Sequence, residues 1–240
     1  QSVPAVTIDR QCGSSQQAIQ FAAQAVLSGT QDVVIAAGVE SMSRVPMGST
    51  TMLFMKEGLG NSRSPGIAEN YPGPGWTQFA GAEMIVKKHG FTKDQVDRFA
   101  LTSHQRAIAA TRSGRFEAEI IPLDITLADG TADRHTTDEG IRYEATLESI
   151  GGVKLLQEDG RLTAATSSQI CDGAAGVMVV NERGLKALGV EPLARIHHMT
   201  VIGHDPVIML EAPIPATERA LKKAGMKIDD IDLFEVNEAF

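Results

Sequence analysis

The sequence predicts an α/β protein interrupted by a mostly helical insertion, and three observations carry that prediction. β-rich and helical-period runs alternate from residue 3 to residue 37. From Met42 to about Gly75 the composition shifts to Ser, Gly, Pro and Met with little periodicity. The α/β pattern then resumes near Ala174. With 42% hydrophobic and 22% charged residues over 240 positions, the chain is globular and long enough to bury a core.

In order, residues 3–8 read as a strand, followed by a polar turn at residues 9–15. Ala18, Ile19, Ala22, Ala25 and Val26 recur at helical spacing, and Gly29 is placed to end that helix. Residues 33–37 are apolar without alternation, the pattern of a strand covered on both faces, which makes the opening a βαβ unit. Within the insertion, one helix is expected from about Gln78 to His89. A second follows the capping signal of Thr92 and Gln95 and ends near Gly114. Residues 120–125 read as a short strand ahead of long loops. Residues 174–180 read as a buried strand and 194–203 as another, and Pro215 fits the first turn of a helix closed by Gly225. A final strand at residues 231–236 would deliver Asn237.

Charge and composition remove several function classes. Twenty-two Lys and Arg against 30 Asp and Glu leave a net charge of −8, which argues against a nucleic-acid surface. A basic pocket for an anionic small molecule remains compatible. No apolar run approaches the length needed to cross a bilayer. Two cysteines without CxxC spacing make neither a disulfide framework nor a cysteine zinc site, and His197-His198 reads as a strand pair rather than a metal site. The expected compartment is reducing and cytoplasmic. Strand-like runs lie close to both ends of the sequence, which reads as the interior of a longer protein.

Cys12 is the most informative position. It falls at a strand-to-helix turn, with Gly13, Ser14 and Ser15 opening the helix. A thiol at a helix N-terminus meets unpaired N–H groups and the positive end of the dipole, which favour thiolate. The geometry is that of a nucleophile elbow. From spacing alone, a nucleophile and a buried small hydrophobe fit position 12 equally. Cys171, which no helix start accompanies, reads as the buried hydrophobe.

Five ordered blocks resemble the thiolase family. Asp9-Arg10-Gln11-Cys12-Gly13-Ser14 is similar to the acyl-carrying cysteine motif, and Gly38-Val39-Glu40-Ser41-Met42-Ser43 to the strand end that follows it. Thr163-Ala164-Ala165-Thr166-Ser167-Ser168 with Cys171-Asp172-Gly173 resembles the segment closing the thiolase loop domain. His204-Asp205-Pro206 with Pro213-Ile214-Pro215, and Val236-Asn237-Glu238-Ala239-Phe240, are similar to two further blocks in the family's order. Together they cover essentially the whole chain, nearest to the degradative members of β-oxidation, including those acting on bulky sterol side chains.

The resemblance implies a layered αβαβα fold, incomplete over these residues, with an inserted, mostly helical loop domain that holds coenzyme A. Residues 1–42 and 168–191 would belong to the N-terminal half, 43–167 to the loop domain, and 192–240 to the start of the C-terminal half. It implies thiolytic cleavage of a 3-oxoacyl-CoA to acetyl-CoA and a shortened acyl-CoA through an acyl-cysteine intermediate. By position, Cys12 would carry the acyl group and Asn237 would hold a water in an oxyanion hole. Ser168 would meet the pantetheine arm, with Arg142 and Ser149 at the nucleotide end of CoA. An arginine suits phosphate through charge-assisted hydrogen bonds. CoA is then a co-substrate, with no permanently bound cofactor or metal, no nucleic acid and no membrane among the partners. A homodimer or homotetramer is expected.

Two departures qualify the resemblance. The family's Gly-His-Pro block, with the histidine that activates the nucleophile, and its Cys-x-Gly-Gly-Gly block do not occur among these 240 residues. Thr77-Gln78-Phe79 stands where acetoacetyl-specific members have His-Met-Gly, which suits a larger acyl group. The alternatives are a biosynthetic thiolase running the reaction in reverse and a catalytically silent CoA-binding homologue.

Overall fold

The computed structural model describes residues 2–60, 63–73 and 76–240; Gly75, expected to end the excursion, lies outside them. The helices are α1 (Ser14–Leu27), α2 (Ser49–Lys56), α3 (Pro65–Asn70), α4 (Gln78–Lys88), α5 (Lys93–Arg112), α6 (Leu147–Gly151), α7 (Glu182–Leu188) and α8 (Pro213–Ala224). The strands are β1 (Val33–Ser41), β2 (Leu123–Thr126), β3 (Ala132–His135) and β4 (Asp172–Val180). They form two compact units.

The first unit comprises Gln1–Asn70, Ile170–Gly203 and Ala212–Asp232. Its sheet is a two-stranded antiparallel ladder of β1 and β4, running from Val33 opposite Val180 to Ser41 opposite Asp172. Helix α1 covers one side, turning Ala22, Ala23 and Val26 onto Ala36 and Val179, with Ala18, Ile19, Val34 and Met199 around them. The small alanines let helix and sheet approach closely, and apolar area is what such packing removes from water.

Three sequence expectations fail here. Residues 3–8 join no ladder, and Val3 and Val6 are exposed, so the opening is not a βαβ unit. The strand runs at 33–37 and 174–180 are present but not buried throughout: Ile35 and Val39 point away from α1 and are exposed, and residues 174–178 of β4 are exposed as well. Residues 194–203 and 231–236 also form no strand among the described residues, which leaves His197-His198 on irregular, exposed backbone. The reason is common to all of them. β propensity is realised only by pairing and packing, and among the described residues β4 is the one strand bonded to β1.

Local signals fared better. Asn181 caps α7 by accepting the Gly184 N–H at 3.0 Å, while its amide donates to Asp32 Oδ1 at 2.7 Å. Arg183 donates to the same oxygen through Nε and Nη2 at 3.0 and 2.7 Å. The carboxyl of Asp32 is consequently held below its usual range, first by Arg183 and then by Asn181. Helix α8 begins at Pro213, with Pro215 in its first turn, and Gly225 caps it in the left-handed region, the two features its sequence predicts.

The second unit comprises Tyr71–Gln169, His204–Glu211 and Leu233–Phe240. Thr77 caps α4, accepting the Ala80 N–H at 3.1 Å, and α5 opens on the full capping box of Thr92 and Gln95. Ala82, Val86 and Leu162 form the core, with Val96, Leu210 and Phe240 against it. Beside it the buried Glu83 Oε1 accepts the N–H groups of Arg161 at 2.7 Å and Leu162 at 2.8 Å. Helix α5 packs on α6 and on the 3-10 turn Ala164–Thr166, and its buried Asp97 is paired with Lys93 at 2.6 Å. A hairpin of β2 and β3 completes the unit, with β2 beginning at Leu123 inside the run expected to be a strand.

Candidate active site

Cys12 lies in the first unit, exposed, in a 3-10 turn of Gln11–Gly13 immediately ahead of the 14-residue helix α1. Local hydrogen bonds build the turn. Asp9 Oδ1 accepts the Gln11 N–H at 3.1 Å, and Ser14 Oγ accepts the Arg10 N–H at 2.8 Å while donating to Gln11 O at 2.8 Å. The Arg10 guanidinium donates to Gln17 Oε1 at 2.6 Å, tying the turn to the first turns of α1. Gln11 sits at φ 45°, a left-handed conformation that costs a side-chain-bearing residue on the order of 1–2 kcal/mol. The strained residue is the one before Cys12, and no strand leads into the turn, so the nucleophile elbow expected from the sequence is not reproduced among the described residues. Gly13 has ordinary negative φ, and a Cβ there would meet nothing closer than 4.0 Å.

The same unit brings two more of the sequence blocks together. Asp172 accepts from Ser41 Oγ at 3.1 Å and from the Ser43 backbone N–H at 2.9 Å and Oγ at 2.5 Å, joining the end of β1 to the start of β4. Ser43 is the main reason that the Asp172 carboxyl lies below its usual range. Cys171 beside it is exposed, not the buried hydrophobe expected.

In the second unit, Asn237 is exposed on irregular backbone, and its neighbours are anchored. Glu238 accepts from Ser103 Oγ at 2.8 Å, Ala239 O accepts the Ser168 N–H at 3.0 Å, and Phe240 stacks edge-on against Phe79 at 5.4 Å. Ser168 and the Asn237 block are thus adjacent. Arg142 joins them through Gln169, whose Oε1 accepts from the guanidinium at 3.3 Å. Ser149 is not part of this chain of contacts. It is the third residue of the α6 capping box, where its hydroxyl accepts the Thr146 N–H and donates to Thr146 O, both at 3.0 Å. Thr77 and Phe79 likewise have structural partners, as a helix cap and a ring contact.

Sequence reading passed over His104 and Gln169, which the structure places on Arg142. No spacing rule connects positions 104, 142 and 169. Among the described residues no three His, Cys, Asp or Glu side chains are grouped to hold a metal ion, and no helix is long and apolar enough to cross a membrane.

Comparison with known proteins agrees with the ordered blocks. Residues 1–183 match the thiolase N-terminal domain and residues 190–240 the thiolase C-terminal domain. The chain is 47% identical over 242 residues to the steroid 3-ketoacyl-CoA thiolase FadA6 of Mycobacterium tuberculosis, covering 100% of this chain and 58% of that protein. It is 44% identical over 241 residues to a 3-ketoacyl-CoA thiolase of Cronobacter sakazakii, covering 100% of this chain and 60% of that protein. Among solved structures it resembles human mitochondrial 3-ketoacyl-CoA thiolase, with TM-score 0.83 and 33% identity over 99% of this chain and 61% of that one. A Bacillus anthracis acetyl-CoA acetyltransferase matches with TM-score 0.81 and 33% identity over 97% of this chain and 60% of its own. The chain therefore spans about 60% of the length of its relatives. With both domain matches in sequence order and the fold shared with solved members, this chain belongs to the thiolase family and has its α/β fold.

Proposed function

We propose that the full-length protein is a degradative acyl-CoA thiolase whose acyl group is carried by Cys12. The observation that carries the reading is the exposed Cys12 on a strained turn ahead of α1, inside the family's cysteine motif. The Cys12 thiolate attacks C3 of a 3-oxoacyl-CoA, and the C2–C3 bond breaks with its electron pair passing to C2. The enolate so formed takes a proton and leaves as acetyl-CoA. A second CoA then gives up its thiol proton to a base and attacks the Cys12 thioester, returning the thiolate. Asn237 would hold a water toward the developing oxyanion. Ser168 would meet the pantetheine arm, with Arg142 and Ser149 at the nucleotide end. The acid and base belong to the family blocks that do not occur among these residues.

The substrate class we propose is a bulky acyl group such as a steroid side chain. Thr77-Gln78-Phe79 in place of His-Met-Gly and the 47% identity to a protein named steroid 3-ketoacyl-CoA thiolase support that reading. We place the protein in the cytoplasm as a homodimer or homotetramer, without a resident cofactor. The test follows CoA-dependent loss of 3-oxoacyl-CoA absorbance with straight-chain and steroid-side-chain substrates. Thiolysis faster on the bulky substrate is expected. Acetoacetyl-CoA formation alone would favour the biosynthetic alternative, and CoA binding without turnover the silent one.

A further inference from the structure

The Arg142 backbone N–H donates to Nδ1 of His104 at 3.3 Å, while the Arg142 guanidinium donates to Gln169 Oε1 at 3.3 Å. Two residues from different segments thus hold both ends of Arg142. His104 projects from the middle of α5, a 20-residue helix pinned at its start by a capping box, so the acceptor stands on a rigid support. An imidazole that accepts at Nδ1 carries its proton on Nε2. Adding a second proton turns the acceptor into a donor facing an N–H and sets a positive charge near the guanidinium. We infer that neutral His104 is a positioning residue for Arg142, and that its protonation releases the loop bearing Arg142 and weakens CoA binding. The inference rests on Arg142 contacting CoA, as proposed above.

The surroundings agree in sign. Partial burial first, and the Arg142 charge second, hold the His104 pKa below its ordinary value. Helix α5 itself carries Lys93, Asp94, Asp97, Arg98, Arg106 and Arg112, α6 carries Glu148, Tyr143 and Glu144 follow Arg142 in the loop, and Glu238 accepts from Ser103 next to His104. The 3-10 turn Ala164–Thr166 contributes none. Of these groups, Arg142 is the one that acts on His104. The acceptor is therefore present at neutral pH and is lost on acidification below the ordinary histidine range.

The test measures CoA binding by calorimetry from pH 5 to pH 8 on the full-length protein, with parallel NMR titration of the histidine rings. Wild type should bind about fivefold more weakly at pH 5 than at pH 8, the factor lost with one neutral hydrogen bond. His104→Asn supplies a non-titrating acceptor near the place of Nδ1 and should keep the neutral-pH affinity while flattening this step. His104→Leu should bind weakly at every pH, and thermal melts check that it folds. The imidazole titration seen by NMR should coincide with the step in wild-type affinity. An unchanged pH profile in His104→Asn, or tighter CoA binding on acidification that depends on His104, would overturn the inference. Arg142→Ala separates the two readings. If it leaves CoA affinity intact, the assignment of Arg142 to CoA fails; if it weakens binding while His104→Asn titrates as wild type, only the role of His104 fails.

Discussion

Single residues in this chain are set by hydrogen-bond accounting more than by side-chain type. Glu83 is a carboxylate with 2% of its surface exposed, and one of its oxygens serves two backbone donors, Arg161 and Leu162. The other oxygen has no partner among the described residues. Nothing in an apolar-flanked Glu inside a helix announces that role, because its partners lie 78 and 79 positions away. Glu83→Ala strands both N–H groups in the core and should destabilise the second unit by about 2–4 kcal/mol in chemical denaturation. Glu83→Gln keeps the acceptor and should cost less; equal losses would contradict the account. The candidate site divides along the same line. Cys12 was legible because its motif and its turn are contiguous in sequence. The grouping of Arg142, Gln169, Ser168 and Ala239 was not, since it depends on contacts between segments.

At the scale of elements, what was legible is what closes locally. The α5 capping box needs only Thr92 and Gln95, three residues apart, and it forms as expected. The helix expected from about Gln78 to His89 is α4, with Thr77 as its cap. Residues 3–8, 194–203 and 231–236 carry β propensity but join no ladder, because a strand is an agreement between two segments and one segment cannot declare its partner. The antiparallel pairing of β1 and β4 was likewise invisible, since their paired residues Val33 and Val180 sit far apart in sequence. One close approach makes a sharp test. A Cβ on Gly184 in α7 would collide with the Asp32 carbonyl oxygen and come within 2.9 Å of Val33 Cγ2. Gly184→Ala should therefore lower the melting temperature despite alanine's better helix propensity. A neutral or stabilising result would mean that α7 does not sit against the start of β1 as described.

At the scale of the whole molecule, three separately partnered carboxyl groups and one histidine set the pH response. Asp32, Asp172 and Glu211 all have depressed pKa values, caused first by Arg183, Ser43 and Lys88 respectively. The folded state then binds fewer protons than the unfolded chain, so their contribution is complete above about pH 4 and is lost as pH falls through the depressed values. His104, also depressed, adds a loss that begins below about pH 6.5. Melting temperature should therefore decline in two stages on acidification, the first absent in His104→Asn; rising stability toward pH 4 would contradict these assignments. Trapping the acyl enzyme is the sharpest test of Cys12 as the acyl carrier. The full-length protein is mixed with a 3-oxoacyl-CoA without free CoA, digested, and the cysteine peptides are weighed. One acyl group on the peptide containing Cys12, one equivalent of acetyl-CoA released, and removal of the label when CoA is added are expected. Acylation of Cys171 instead, or release of acetyl-CoA with Cys12 unmodified, would contradict it.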